Sequence, residues 1–95
     1  MPTPPSVLTQ CRLEMGLSQR QVAFAMGIDP TGFGRVERGV YTPSKEIANL
    51  IFEFYGGIVP LGLIYDATHE SFRDWLTAAR KRDLRKRAAA ITEPA

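Results

Sequence analysis

LSQRQVAFAMGIDPTGFGRVERG, residues 17–39, carries two helix starts and two helix stops within 23 residues. Ser18 is placed as an N-cap, and Gln21 three residues on completes the pattern of a capping box. Leu17 before the cap and Val22 after it are spaced as a hydrophobic staple. Gly27 offers the left-handed backbone at which a helix stops and a sharp turn begins. Asp29 then caps a second helix, and Pro30 takes its first position, where a missing N–H costs nothing. Ile28 and Phe33 repeat the staple, and Gly39 closes the unit. The stretch predicts a helix over 18–26, a tight turn and a helix over 29–38. Two helices this short and this tightly joined are what a helix-turn-helix needs to lay its second helix in a DNA major groove.

Outward from this unit the chain continues as helices. Residues 6–15 read as a first helix ended by Gly16, and residues 40–42 as a loop. Pro43 sets the entry to a fourth helix over 44–55, where Ile47, Leu50, Ile51 and Phe54 form an amphipathic stripe. Gly56 and Gly57 stop it. The next segment, IVPLGLIYDA, is almost wholly apolar: either Pro60 opens a short fifth helix through Tyr65, or Ile58 and Val59 are extended. A last helix is expected from about His69, capped by Asp66 or Thr68, with Phe72, Trp75, Leu76 and Ala79 as one apolar stripe. Beyond Ala79 Leu84 stands alone among charges. There the helix either continues to Ala90 on alanine and arginine propensity or frays after Lys81, leaving residues 91–95 as a tail. The opening MPTPP reads as a disordered lead-in, and no internal repeat is visible.

At 95 residues the chain has room for one modest core. Its formal charge of +2 hides an asymmetry. Residues 1–79 hold six basic and eight acidic side chains, whereas residues 80–95 hold six basic and two acidic. A nucleic-acid reading must therefore rest on local placement of charge. The single cysteine, Cys11, rules out an internal disulfide, fits a reducing cytoplasm and is in step with Leu8 and Met15 as a small core residue. No apolar run approaches the ~20 residues of a membrane span, and no leader for secretion is visible. One histidine and one cysteine do not make a zinc site, and no glycine-rich phosphate loop follows a strand. The expectation is a protein without enzyme activity and without a cofactor or metal.

The segment resembles the lambda repressor/Cro-like (Xre-type) helix-turn-helix family. The resemblance is carried by Leu17-Ser18-Gln19, Val22-Ala23, Gly27, the Phe33 and Val36 pair, Glu37-x-Gly39 and Pro43-Ser44. It runs without a gap over about residues 6–56. It implies an all-α, five- to six-helix lambda-repressor-like DNA-binding domain with a C-terminal helical extension. The corresponding division is residues 1–66, with the motif at 18–38, followed by a C-terminal helix and basic tail at 67–95.

The resemblance also implies roles. The start of the second motif helix meets base edges, which gives Thr31 a hydroxyl and a methyl to offer. Arg35, one turn on, suits guanine O6 and N7, a bidentate pairing worth about 1–3 kcal/mol of discrimination; a phosphate contact or a surface salt bridge is the alternative. Gly32 and Gly34 each cost up to ~1 kcal/mol relative to alanine inside a helix. Either the backbone there lies close to DNA, or it packs against the preceding helix. Many members carry glutamine where this chain has Pro30, which can give only apolar contact. Gln19 corresponds to a position that hydrogen-bonds backbone phosphate, and Arg20, Arg38, Tyr41 and Lys45 are further phosphate candidates on the same edge. Arg12 and Glu37 match a basic residue and a glutamate that form a buried structural clamp. Leu61, Leu63, Ile64 and Tyr65 match a helix that commonly forms the dimer contact, with Phe72, Trp75 and Leu76 as further candidates; ordinary core packing is the alternative for all of these.

These readings converge on a cytoplasmic transcriptional regulator that binds double-stranded DNA sequence-specifically, as a homodimer on a palindromic operator, by repression or through RNA polymerase. The alternatives are an antitoxin with a toxin partner, a restriction-modification controller, or a protein-interaction module that no longer binds DNA. The basic run RKRDLRKR, residues 80–87, reaches flanking DNA, faces solvent on a dimerising helix, or touches RNA or protein.

Overall fold

The computed structural model describes residues 6–65 and 75–92. Among the described residues six helices follow in order: α1 (Val7–Glu14), α2 (Gln19–Met26), α3 (Pro30–Glu37), α4 (Lys45–Phe54), α5 (Leu61–Tyr65) and α6 (Ala78–Thr92). The described residues include no strand. The chain is all-α.

Capping chemistry fixes the first four helix starts. The side chains of Ser6, Ser18, Asp29 and Ser44 each accept from the backbone N–H three residues on, satisfying a donor that the helix itself leaves orphaned. At Ser18 the capping box is complete, since the Gln21 carboxamide accepts from the Ser18 N–H at 2.8 Å. Gly27, at φ 72°, ends α2 in the left-handed region.

One core unites these elements. Val7, Leu8 and Cys11 of α1 join Val22 and Ala23 of α2, Phe33 and Val36 of α3, and Ala48, Ile51 and Phe54 of α4. Tyr55, Val59 and Ile64 extend it through α5, so the apolar segment after Gly57 does form a fifth helix, entered at Pro60. Leu50 departs from the expected stripe: it lies at the rim, and Ala48 takes an inner position. Burial pushes the Cys11 thiol up to about 12 despite the opposing Arg80 charge. Burial likewise raises the Tyr55 hydroxyl well above its ordinary range.

The C-terminal helix differs from its sequence reading. Trp75, Leu76 and Thr77 are not helical, and α6 begins only at Ala78. Thr77 Oγ1 accepts from the Arg80 N–H at 3.2 Å, and Arg80 folds back over the Trp75 ring while donating to the Trp75 carbonyl at 2.6 Å. A threonine cap and an arginine–tryptophan stack thus set the start of α6 at Ala78, where the sequence reading has the helix already running from about His69. Nor does the helix fray at Lys81 or leave Ile91 in a tail; it runs to Thr92.

Of the expected stripe, Trp75 is buried in the core, Leu76 is half-buried against it and Ala79 is exposed, while Leu84, Ala88 and Ile91 also turn inward. Leu84 is fully buried, a contribution of about 1.5–3 kcal/mol. Arg87 donates to the carbonyls of Phe54 at 3.0 Å and Glu53 at 3.1 Å, satisfying the end of α4. Arg85 pairs with Glu14. Three of the basic side chains therefore staple α6 to the rest of the protein. Asp66, Thr68, His69 and Phe72, and the opening five residues, lie outside the described residues.

Candidate nucleic-acid interface

Helix α3 is eight residues long, about 12 Å at 1.5 Å per residue, a length that fits a major groove. Its two faces differ sharply. Phe33, Val36 and Glu37 point into the protein, and Gly34 is buried with them. Thr31, Arg35 and Arg38 are exposed at i, i+4 and i+7 and form a single outward stripe. Pro30 is exposed at the helix start, and the Asp29 carboxylate holds that start by accepting from the Gly32 N–H at 2.9 Å. After Gly39, at φ 76°, the N–H groups of Val40 and Tyr41 both turn back onto the Arg35 carbonyl, at 2.9 and 3.3 Å. Recognition candidates therefore sit on a helix fixed at both ends.

Between α3 and the start of α2 lies an open cleft of about 310 Å³ lined by Gln19, Arg20, Pro30, Thr31, Gly34 and Arg38. It brings together three of the phosphate candidates and two of the base-reading ones. No acidic side chain lines it. Arg35 lies outside the cleft on the exposed stripe, Tyr41 is on the following turn, and Lys45 opens α4; all three are exposed.

The clamp between Arg12 and Glu37 is present and wider than the sequence indicated. Arg12 Nε donates to Glu37 Oε2 at 3.0 Å, Nη2 donates to Oε1 at 3.0 Å, and Nη1 donates to the Leu17 carbonyl at 2.9 Å. Glu37 is only 1% exposed. Its Oε1 also accepts from the Thr9 hydroxyl at 2.8 Å and from the Gln19 carboxamide at 3.2 Å. Sequence reasoning missed Thr9, although it lies three residues before Arg12 and so on the same face of α1. One carboxylate thus ties α1, α2 and α3 together.

The two glycines of α3 resolve differently. A Cβ at Gly32 would meet nothing closer than its own cap, Asp29 Oδ2 at 3.7 Å. At Gly34 a Cβ would stand 3.2 Å from Gln19 Oε1 and 3.4 Å from Arg38 Nη1. Gly34 is therefore packed against a side chain of α2.

The dimer candidates also divide. Ile64 and Trp75 are spent on the protomer's own core, Leu63 and Leu76 are half-buried, and Leu61 and Tyr65 are exposed one turn apart on α5. Among the described residues no group of acidic, histidine or cysteine side chains is placed to hold a metal ion, and no helix is long and apolar enough to cross a membrane.

A short capped helix offering a polar stripe beside an acid-free cleft defines a DNA-binding helix-turn-helix domain. The chain belongs to the HTH_3 helix-turn-helix family, the Xre or lambda repressor-like group, whose model matches residues 8–61. That match covers α1 to the start of α5 and leaves α6 outside it. DNA binding is the property this family implies, and its members are typically not enzymes. No curated protein and no solved structure matches the chain.

Proposed function

We propose that the chain is a sequence-specific transcriptional regulator that binds a palindromic operator as a homodimer and represses by occupying it. The observation that carries this reading is the stripe of Thr31, Arg35 and Arg38 on a helix capped at both ends, beside a cleft with two arginines and no acid. In this reading Thr31 and Arg35 meet base edges, Pro30 and Gly32 lie against the groove, and Gln19, Arg20, Arg38, Tyr41 and Lys45 hold phosphates. Leu61 and Tyr65, exposed on α5, are the centre of the two-fold contact. A two-fold pair of α3 helices reads half-sites about one helical turn apart, which raises affinity beyond what one short helix supplies. The reducing cytoplasm suits a regulator with one buried free thiol.

A second reading, a protein-interaction module, draws on Phe24. It is 86% exposed on α2, next to Ala25 and Met26, which with Leu50, Phe54 and Ile91 line a largely apolar groove edged by Glu53 and Arg87. Binding to duplex DNA as a function of salt separates the two. A regulator binds with a steep salt dependence and loses most affinity in Thr31→Ala/Arg35→Ala; a module of the second kind leaves the duplex free at every salt concentration.

A further inference from the structure

The carboxamide of Gln19 is held in place by a residue that lies behind it. Gln19 Nε2 donates to Glu37 Oε1 at 3.2 Å, and Glu37 is itself fixed by Arg12 and Thr9. To make that bond the Gln19 side chain crosses α3 at Gly34, with its Oε1 only 3.2 Å from where a Cβ would stand. The same side chain lines the cleft with Arg20, Thr31 and Arg38. One N–H of the carboxamide is given to Glu37, so the second N–H of Nε2 is left in a defined orientation.

We infer that Glu37 is a positioning residue for DNA: through its bond to Gln19, laid across Gly34, it orients the Gln19 carboxamide to donate to a backbone phosphate. The inference rests on the DNA-binding reading above. It explains two features that otherwise look unrelated. A glycine sits in the middle of α3, where alanine would favour the helix. A buried acid on α3 takes donors from three residues on two other helices, Thr9 and Arg12 of α1 and Gln19 of α2, when Arg12 alone would satisfy a clamp. Orientation matters here because a free carboxamide at a helix start samples several rotamers and both amide faces, and binding must then restrict it. Glu37 imposes that restriction before DNA arrives.

The test is a mutant cycle read by fluorescence anisotropy on a labelled mixed-sequence duplex at low salt, with melting curves of every variant recorded alongside. Gln19→Ala is expected to weaken binding about tenfold, the loss of one hydrogen bond to a charged group. Gly34→Ala is expected to weaken binding several-fold while melting at the same or a higher temperature, opposite signs that a merely structural glycine does not produce. In the Gln19→Ala background, Gly34→Ala should cost no further affinity. In a Glu37→Gln background, assayed below its melting, Gln19→Ala should cost much less than in the parent.

An equal loss from Gly34→Ala in both backgrounds would overturn the inference, because the added methyl would then act without Gln19, by meeting DNA directly or by displacing Arg38. Unchanged affinity in Gly34→Ala would overturn it as well. Failure of the parent protein to bind the duplex at low salt would remove the DNA-binding reading and this inference together; a parent that binds, with a flat cycle, would remove this inference alone.

Discussion

Replacing Arg12 by alanine tests the clamp, and its size follows from the geometry. The substitution removes the bonds from Nε and Nη2 to Glu37 and the bond from Nη1 to the Leu17 carbonyl. Glu37, at 1% exposure, keeps only two neutral donors, the Thr9 hydroxyl and the Gln19 carboxamide. Stranding a buried charge in this way costs about 3–5 kcal/mol, and Arg12 is itself 13% exposed, so solvent repays little. Set against a total stability of about 5–15 kcal/mol, that is a large fraction. The expected fall in melting temperature is more than about 10 °C for a domain of this size. Urea titration and thermal melts followed by circular dichroism read it directly.

DNA affinity, corrected for the folded fraction, should change by less than about threefold, roughly 0.7 kcal/mol, because Arg12 does not line the cleft and Glu37 keeps its bonds to Thr9 and Gln19. A control sharpens the result: Arg12→Met/Glu37→Leu removes both charges and should be less destabilised than Arg12→Ala. Unchanged melting with lost affinity would refute the reasoning, since Arg12 would then be a DNA contact.

Arg35→Ala should cost about 1–3 kcal/mol at one base pair of each half-site and relax preference there, whereas Arg38→Ala should weaken all sequences alike; competition titrations with single-base operator variants check both. Arg87→Ala, which unpairs the Phe54 carbonyl and takes one donor from the Glu53 carbonyl, should lower stability by about 1–2 kcal/mol in urea titrations, while exposed Arg82→Ala should stay within about 0.5 kcal/mol. Cys11 should resist a thiol reagent at pH 8 until the chain unfolds. Its raised value in the folded state means that the folded protein holds the proton longer than the unfolded one, so stability is steady below about pH 9 and falls as pH climbs towards 12. Labelling rates and alkaline melting curves measure this, and fast labelling of the native protein would contradict it. Leu61→Glu/Tyr65→Glu should shift the sedimentation profile to monomer and abolish tight binding to a two-half-site duplex.

The first four helices were legible because their boundaries are written in local chemistry. Ser18, Gln21, Gly27, Asp29 and Pro30 each act on backbone groups within a few residues, so the sequence holds the whole cause. The inner positions Phe33 and Val36 and the Arg12–Glu37 pair were legible for a related reason, since residue type and spacing match a recurring family pattern. The start of α6 was not. Its signals, the Thr77 cap and the Arg80 side chain folded back onto Trp75, are local but not periodic, and the buried Trp75 and half-buried Leu76 read as part of a helical stripe. Leu84 read as isolated because its companions on the inner face are Ala88 and Ile91, one too small to register and one beyond the basic run. The basic run itself read as a uniform charged face, yet Arg80, Arg85 and Arg87 are committed to Trp75, Glu14 and the end of α4. In the candidate site, the link from Gln19 to Glu37 was invisible because it joins residues 18 positions apart across the face of α3 at Gly34, where a Cβ would stand 3.2 Å from the Gln19 carboxamide.

The central claim, that α3 reads sequence as one of a two-fold pair, meets its most direct test in selection from a random duplex library by the purified full-length protein at near-physiological salt. The account predicts enrichment of a symmetric motif with half-sites about one helical turn apart, ~10 base pairs, and loss of that enrichment in Arg35→Ala. Recovery of a pool as random as the input would contradict it.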